Sequence, residues 1–152
     1  MAQEKETISA VNSLIETLKD GQEGFKQAAE GVKDLQLKSL FNEYSRQRSR
    51  FASELQSQAQ SLGELEPETS GSAAGALHRA WINLKSAVTS GDDDAILAEC
   101  ERGEDSAVAR YRKALEQSLP ADVRSVVQKQ ADGAQRNHDQ IRDLRNAARE
   151  RN

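Results

Sequence analysis

The chain has 152 residues, of which 36% are hydrophobic and 30% charged, and its formal net charge is −4 at pH 7. This length is sufficient for one domain with a buried core, and the negative balance argues against a general affinity for nucleic acid or anionic membranes. No apolar run approaches the roughly 20 residues of a membrane span. The N-terminal sequence also lacks the basic start and apolar block of a secretion signal, so we expect a cytoplasmic protein.

Apolar residues recur at intervals of three and four along most of the chain, which predicts amphipathic helices rather than strands. Long helices are predicted at residues 4–31, 35–62, 92–118 and 121–149. A loop rich in Gly, Pro and Ser follows the second helix, and a shorter helix is predicted at 72–89. The links within each pair of long helices are short, whereas about 30 residues separate the two pairs. The sequence therefore predicts one all-α domain over residues 1–152, a four-helix bundle with a helix-containing crossover between helices two and three.

Glycines interrupt these predicted helices at Gly21, Gly24, Gly103 and Gly133. Each costs about 1 kcal/mol relative to alanine inside a helix. Close approach of neighbouring helices is the favoured explanation, and room for a bound group is the alternative. Trp81, in the predicted crossover helix, is interpreted as an anchor to the bundle, with a ligand or partner contact as the alternative.

Three stretches carry a resemblance that covers almost the whole chain: "GSAAGALHRAWINLKSA", "AILAECERGEDSAVARYRKAL" and "VVQKQADGAQRNHDQIRDL". They resemble an uncharacterised bacterial ferritin-like family of four-helix-bundle proteins, a domain of unknown function. The resemblance implies the ferritin-like fold and a role in the bacterial stress response. In ferritin-like enzymes, carboxylates and histidines from all four helices hold two metal ions at mid-height.

The inward polar residues at mid-height include fewer potential metal ligands than such a site uses. About six ligands are usual there, but this chain offers one inward carboxylate, Glu104, and one imidazole, His138, at the edge of its stripe. Arg48 also points inward, and its positive charge competes with a metal. The predicted buried polar layer, a degenerate form of the two-metal layer, consists of Gln22, Tyr44, Gln47, Arg48, Glu104 and His138.

Glu104 is the most unusual member of this layer, because it shares an apolar helical stripe with Cys100. A buried carboxylate without a partner tends to become neutral, and Arg48, Tyr44 and His138 are the candidate partners. The favoured interpretation is a polar layer that fixes the register of the helices. The alternative is a weak site for iron or another divalent metal, formed by Glu104 and His138.

The sequence shows no nucleophilic, phosphate-binding or dinucleotide-binding motif. We expect a non-enzymatic structural or interaction protein with no cofactor, which associates with itself, for example as a dimer, or with another protein. Two alternatives belong to other classes. One is a divergent, di-iron-like oxidase or iron-handling protein centred on Glu104 and His138. The other is a small-ligand carrier with a pocket beneath the crossover helix near Trp81.

Overall fold

The computed structural model describes residues 2–63, 81 and 83–151, and the side chains of these residues except 2–4 and 151. This part of the chain contains helices, turns and no strand, so the prediction of an all-α protein is confirmed for it. The helices are α1 (Ala2–Gly31), α2 (Leu35–Ser61), α3 (Leu84–Ser90), α4 (Asp93–Leu115) and α5 (Ala121–Arg151). None of these described helices combines the length and the low polarity that a bilayer span requires.

The four long helices begin and end within three residues of the predicted positions. Aspartate caps explain two of the starts. Asp34 precedes α2 and accepts hydrogen bonds from the backbone N–H groups of Gln36 at 2.8 Å and Leu37 at 3.2 Å. Asp92 precedes α4 and accepts from the N–H of Asp94 at 3.0 Å. Each cap satisfies backbone donors that have no partner within the helix.

The crossover helix predicted at 72–89 is tested only at residues 81 and 83–89, and it differs from the prediction at 81 and 83. In the described part of this region, the helix is α3, and Trp81 and Asn83 precede it in a bend and a turn. Residues 64–80 and 82, which include His78, lie outside the described part. The Trp81 carbonyl accepts a hydrogen bond from the N–H of Leu84 at 3.0 Å. At residues 81 and 83, tertiary packing of the Trp81 side chain, described below, outweighs local helical propensity.

Each long helix packs against two of the others: α1 and α5 both contact α2 and α4, so α2 and α4 lie diagonally opposite each other. Polar contacts join late residues of one helix to early residues of its neighbour, which makes neighbouring helices antiparallel. The pairs that set these directions are Ser45–Gln22, Lys38–Ala29, Gln47–Asn137, Gln130–Glu54, Tyr111–Gln130 and Arg145–Glu101. The backbone of Lys33, after α1, contacts Asp93 at the start of α4, so α4 is also antiparallel to α1.

The buried apolar side chains form two clusters, one toward each end of the helices. The first contains aromatic residues around Phe25, Phe41 and Trp81, together with the aliphatic residues of α3 and the start of α4. The second is mainly aliphatic and includes Leu14 and Leu55. Arg48 and Glu104, two predicted members of the polar layer, are buried between these clusters, near Tyr44 of the first and Tyr111 of the second.

Candidate functional site: the mid-height polar layer and the α4–α5 cluster

An ion pair between Arg48 of α2 and Glu104 of α4 lies at the centre of the polar layer. Both side chains are only 1% exposed, and Arg48 Nη2 donates a short hydrogen bond to Glu104 Oε2. Since α2 and α4 are diagonally opposite, the long arginine side chain crosses the interior to reach its partner. Its guanidinium carbon lies 5.7 Å from the centroid of the Phe25 ring, a distance that allows a cation–π attraction.

Burial controls the protonation of this layer. Desolvation raises the pKa of Glu104, and the charge and hydrogen bond of Arg48 oppose that rise. Desolvation also raises the pKa values of Tyr44, Tyr111 and the Cys100 thiol. These hydroxyl and thiol groups therefore remain protonated at neutral pH, so Cys100 does not supply the thiolate that nucleophilic catalysis requires.

Other predicted members of the layer have polar partners on neighbouring helices. The Tyr44 hydroxyl donates a short hydrogen bond to Gln140, and the side-chain amide of Asn137 donates to Gln47 at 2.5 Å. Gln22 is half-buried, and its backbone carbonyl accepts from the Ser45 hydroxyl at 2.8 Å. These bonds connect α1 with α2 and α2 with α5.

Gln130 is a buried polar residue that the sequence analysis missed. Its side-chain oxygen accepts from the Tyr111 hydroxyl at 2.8 Å, and its amide nitrogen donates to the Phe51 carbonyl at 3.0 Å and to Glu54 at 2.9 Å. The signal was present in the sequence, because Gln130 follows Val127 at the spacing of the α5 apolar stripe. Gln130 therefore joins α5 to both α2 and α4.

His138 does not have Glu104 as its partner. Its Nε2 atom lies 2.5 Å from Asp105 Oδ1, and its Nδ1 atom lies 3.2 Å from Asp139 Oδ1. The charge of His138 is a minor influence that lowers the pKa of Glu104. The two predicted metal ligands thus belong to different contacts, because Glu104 faces the interior and His138 lies in the groove between α4 and α5.

His138 and two carboxylates of α4 form a compact group, here called the α4–α5 cluster, which consists of Glu101, Asp105 and His138. One ligand atom from each residue lies within 4.8 Å of the other two. Arg145 of α5 donates a short hydrogen bond to Glu101. The two acids were not predicted as site residues, although their spacing of four residues places them on the same face of α4.

The donor set of the mid-height layer does not fit a two-iron centre. Such a centre takes carboxylates from all four helices and imidazoles from two of them. Here the central carboxylate, Glu104, is bonded to a guanidinium, and the neighbouring groups at Tyr44, Gln47 and Gln130 are neutral. Asp20 of α1, which is 5% exposed and was not predicted, is a second carboxylate in the lining of the cavity beside this pair. The described residues that line this cavity include no imidazole, so they supply fewer ligands than a two-iron centre takes.

Trp81 lies in a slot between α1 and α4 that is lined by glycine. A β-carbon built on Gly24 would lie 2.6 Å from the indole, and one on Gly103 would lie 2.3 Å from it. The Trp81 ring packs edge-on against Phe25, with centroids 5.1 Å apart. Close packing thus explains these two glycines, and the indole anchors the connection that precedes α3.

The cavity beside Trp81 is small. It lies between α1 and α4 next to Arg48 and Glu104 and has a volume of about 10 Å³. An apolar cavity that admits benzene measures roughly 150 Å³. The described residues therefore leave space for a water-sized molecule at this position.

Comparison with known proteins gives a family. No curated protein matches this chain. The model of the family described as Domain of unknown function (DUF2383) matches residues 6–117, which is well over half of the chain. The match includes most of α1 and all of α2, α3 and α4, and with them both members of the Arg48–Glu104 pair. The chain therefore belongs to the family Domain of unknown function (DUF2383).

Proposed function

We propose that this protein is a ferritin-like four-helix bundle in which a structural ion pair replaces the two-metal centre. In this proposal the protein is a cytoplasmic, non-enzymatic structural or interaction protein. The observation that carries the proposal is the buried, diagonal Arg48–Glu104 pair. The topology supports the ferritin-like assignment, because neighbouring helices are antiparallel and a long connection leads from α2 to the parallel helix α4.

The charge of Arg48 is the physical reason to expect no iron in the layer. A metal bound to the second oxygen of Glu104 would stand beside the buried charge of Arg48, and a metal bound in place of the guanidinium would leave that charge without its partner. Breaking a buried pair in this way costs about 3–5 kcal/mol. Two divalent ions would also add four positive charges beside Arg48, against the two buried carboxylates, Glu104 and Asp20, that line this cavity. The pair is therefore better suited to hold two diagonal helices together than to bind a cofactor.

The surface indicates what kind of association to expect. Among the large hydrophobic side chains of the described residues, Leu35 is the one that is strongly exposed to solvent, with 76% of its surface accessible. Obligate dimer interfaces, by contrast, contain many exposed apolar residues that the partner covers. We therefore propose that contacts with a second copy or with another protein are mainly polar. The role in the bacterial stress response rests on the resemblance described above.

The small-ligand carrier receives less support than the structural role. The cavity near Trp81 is water-sized, and the indole fills the slot between Gly24 and Gly103. A carrier would require the side chain of Trp81 to leave this slot.

Iron loading tests the proposal. The full chain and the Glu104→Gln variant are incubated anaerobically with ferrous iron, desalted and measured by metal mass spectrometry. We expect neither protein to retain a pair of irons per chain. Two irons in the wild type that are lost in Glu104→Gln would contradict the proposal and would restore the di-iron-like oxidase as the preferred function.

A further inference from the structure

We propose that Glu101, Asp105 and His138 form a binding site for a single borderline divalent cation, such as Zn²⁺ or Co²⁺, between α4 and α5. This site goes beyond the proposed function, and it shares no ligand with the Arg48–Glu104 pair. It also differs from the pairing expected from the sequence, since the carboxylates come from the outer edge of α4.

The positions of the three side chains support the site. Glu101 and Asp105 are one helical turn apart on α4, and His138 faces them from the antiparallel helix α5. Their donor atoms lie within 4.8 Å of one another. Ligand atoms around a tetrahedral zinc ion at 2.0–2.2 Å stand about 3.3 Å apart. Small side-chain rotations are therefore sufficient to bring all three into coordination distance.

The burial of the cluster suits a metal that exchanges with solvent. His138 and Glu101 are each 17% exposed, whereas Asp105 is 60% exposed. The inner side of the site is therefore formed by two well-packed ligands, and the outer side opens to water. A metal held by three protein ligands would complete its coordination with water on that side.

The ring of His138 lies between two carboxylates. Its Nδ1 atom faces the Asp139 carboxylate, and Asp139 also accepts a hydrogen bond from Gln135 at 2.9 Å. The Nε2 atom, on the opposite side of the ring, lies 2.5 Å from Asp105 Oδ1. Carboxylates that orient metal-binding histidines in this way are common around zinc.

Arg145 limits the strength of the site without blocking it. It donates to Oε1 of Glu101, and a carboxylate has a second oxygen that can bind a metal. The nearby positive charge weakens the attraction for a divalent ion. One imidazole and two carboxylates favour zinc or cobalt over magnesium and calcium, which prefer oxygen ligands alone.

The test is a titration of the untagged, chelator-treated full chain with Zn²⁺ by calorimetry, and with Co²⁺ by visible absorption. The variants His138→Gln and Asp105→Asn are compared with two controls. His78→Gln removes the other histidine of the chain, and Asp143→Asn removes an exposed acid from α5. Circular dichroism establishes that each variant is folded.

We expect one ion per chain in the wild type, in both controls and in Glu104→Gln. His138→Gln and Asp105→Asn should each weaken binding at least about tenfold, since loss of an outer-shell partner alone typically costs 10–100-fold. The proposal is overturned if the wild type binds neither ion at millimolar concentration, if both test variants bind like the wild type, or if His78→Gln abolishes binding. Glu104→Gln distinguishes this result from a failure of the proposed function. The proposed function fails only if the wild type binds two irons that are lost in Glu104→Gln, whereas the ion at the α4–α5 cluster should be retained in that variant.

Discussion

At the scale of single residues, the contact between Trp81 and Gly103 gives a sharp prediction. A β-carbon at position 103 would lie 2.3 Å from the indole, whereas one at Gly21 would lie 3.6 Å from the Arg48 side chain. We expect Gly103→Ala to lower the free energy of unfolding by about 1–3 kcal/mol through overpacking. Gly21→Ala, the matched control, should be neutral or stabilising by up to about 1 kcal/mol. Urea unfolding of both variants measures the difference.

If Gly21→Ala were less stable than Gly103→Ala, the result would show that Trp81 is not held tightly in the slot between α1 and α4. A Gly103→Ala protein as stable as the wild type would have the same meaning, because the indole could then move away at little cost.

The sequence predicted that the Glu104 side chain points into the interior, but it did not predict all of the contacts around that residue. Helical periodicity places Glu104 on an apolar stripe, and the side chain is 1% exposed. The partner of His138 could not be predicted from helical periodicity. Whether His138 meets Glu104 or Asp105 depends on the relative rotation of α4 and α5, and periodicity within one helix does not contain that rotation.

At the scale of elements, Asp93 joins the start of α4 to the turn between α1 and α2. Its two carboxylate oxygens accept hydrogen bonds from the N–H groups of Lys33 at 2.8 Å and Asp34 at 3.0 Å. We expect Asp93→Ala to destabilise the protein by about 1.5–3 kcal/mol, the range for hydrogen bonds to charged groups. Asp93→Asn, which keeps one acceptor oxygen, should lose less.

Thermal and urea unfolding of the two Asp93 variants provide the measurement. Equal stability of Asp93→Ala and the wild type would contradict a role for this carboxylate in joining the two helical pairs.

Element boundaries were predictable where local chemistry determines them and less so where packing does. Asp34 and Asp92 cap helices whose starts the sequence indicates. The start of α3 is different, because its cap residue, Asn83, makes no side-chain cap hydrogen bond. The burial of Trp81 between α1 and α4 determines the local turn, and that contact is distant in sequence.

At the scale of the whole molecule, the Arg48–Glu104 pair separates two apolar clusters and crosses between diagonal helices. Sliding one helix by a turn would leave both charges buried without partners, which is strongly unfavourable. We propose that the pair in this way selects one register among the many that apolar stripes alone would tolerate. A role in setting the register accounts, in this proposal, for the carboxylate at a core position.

A double-mutant cycle on this pair is the most direct test of that claim. The free energy of unfolding is measured by urea titration for the wild type, Arg48→Met, Glu104→Gln and the double variant. We predict that each single change costs about 3–5 kcal/mol and that the double variant loses much less than the sum of the two. Losses that add to within about 0.5 kcal/mol, as expected for independent sites, would contradict the account.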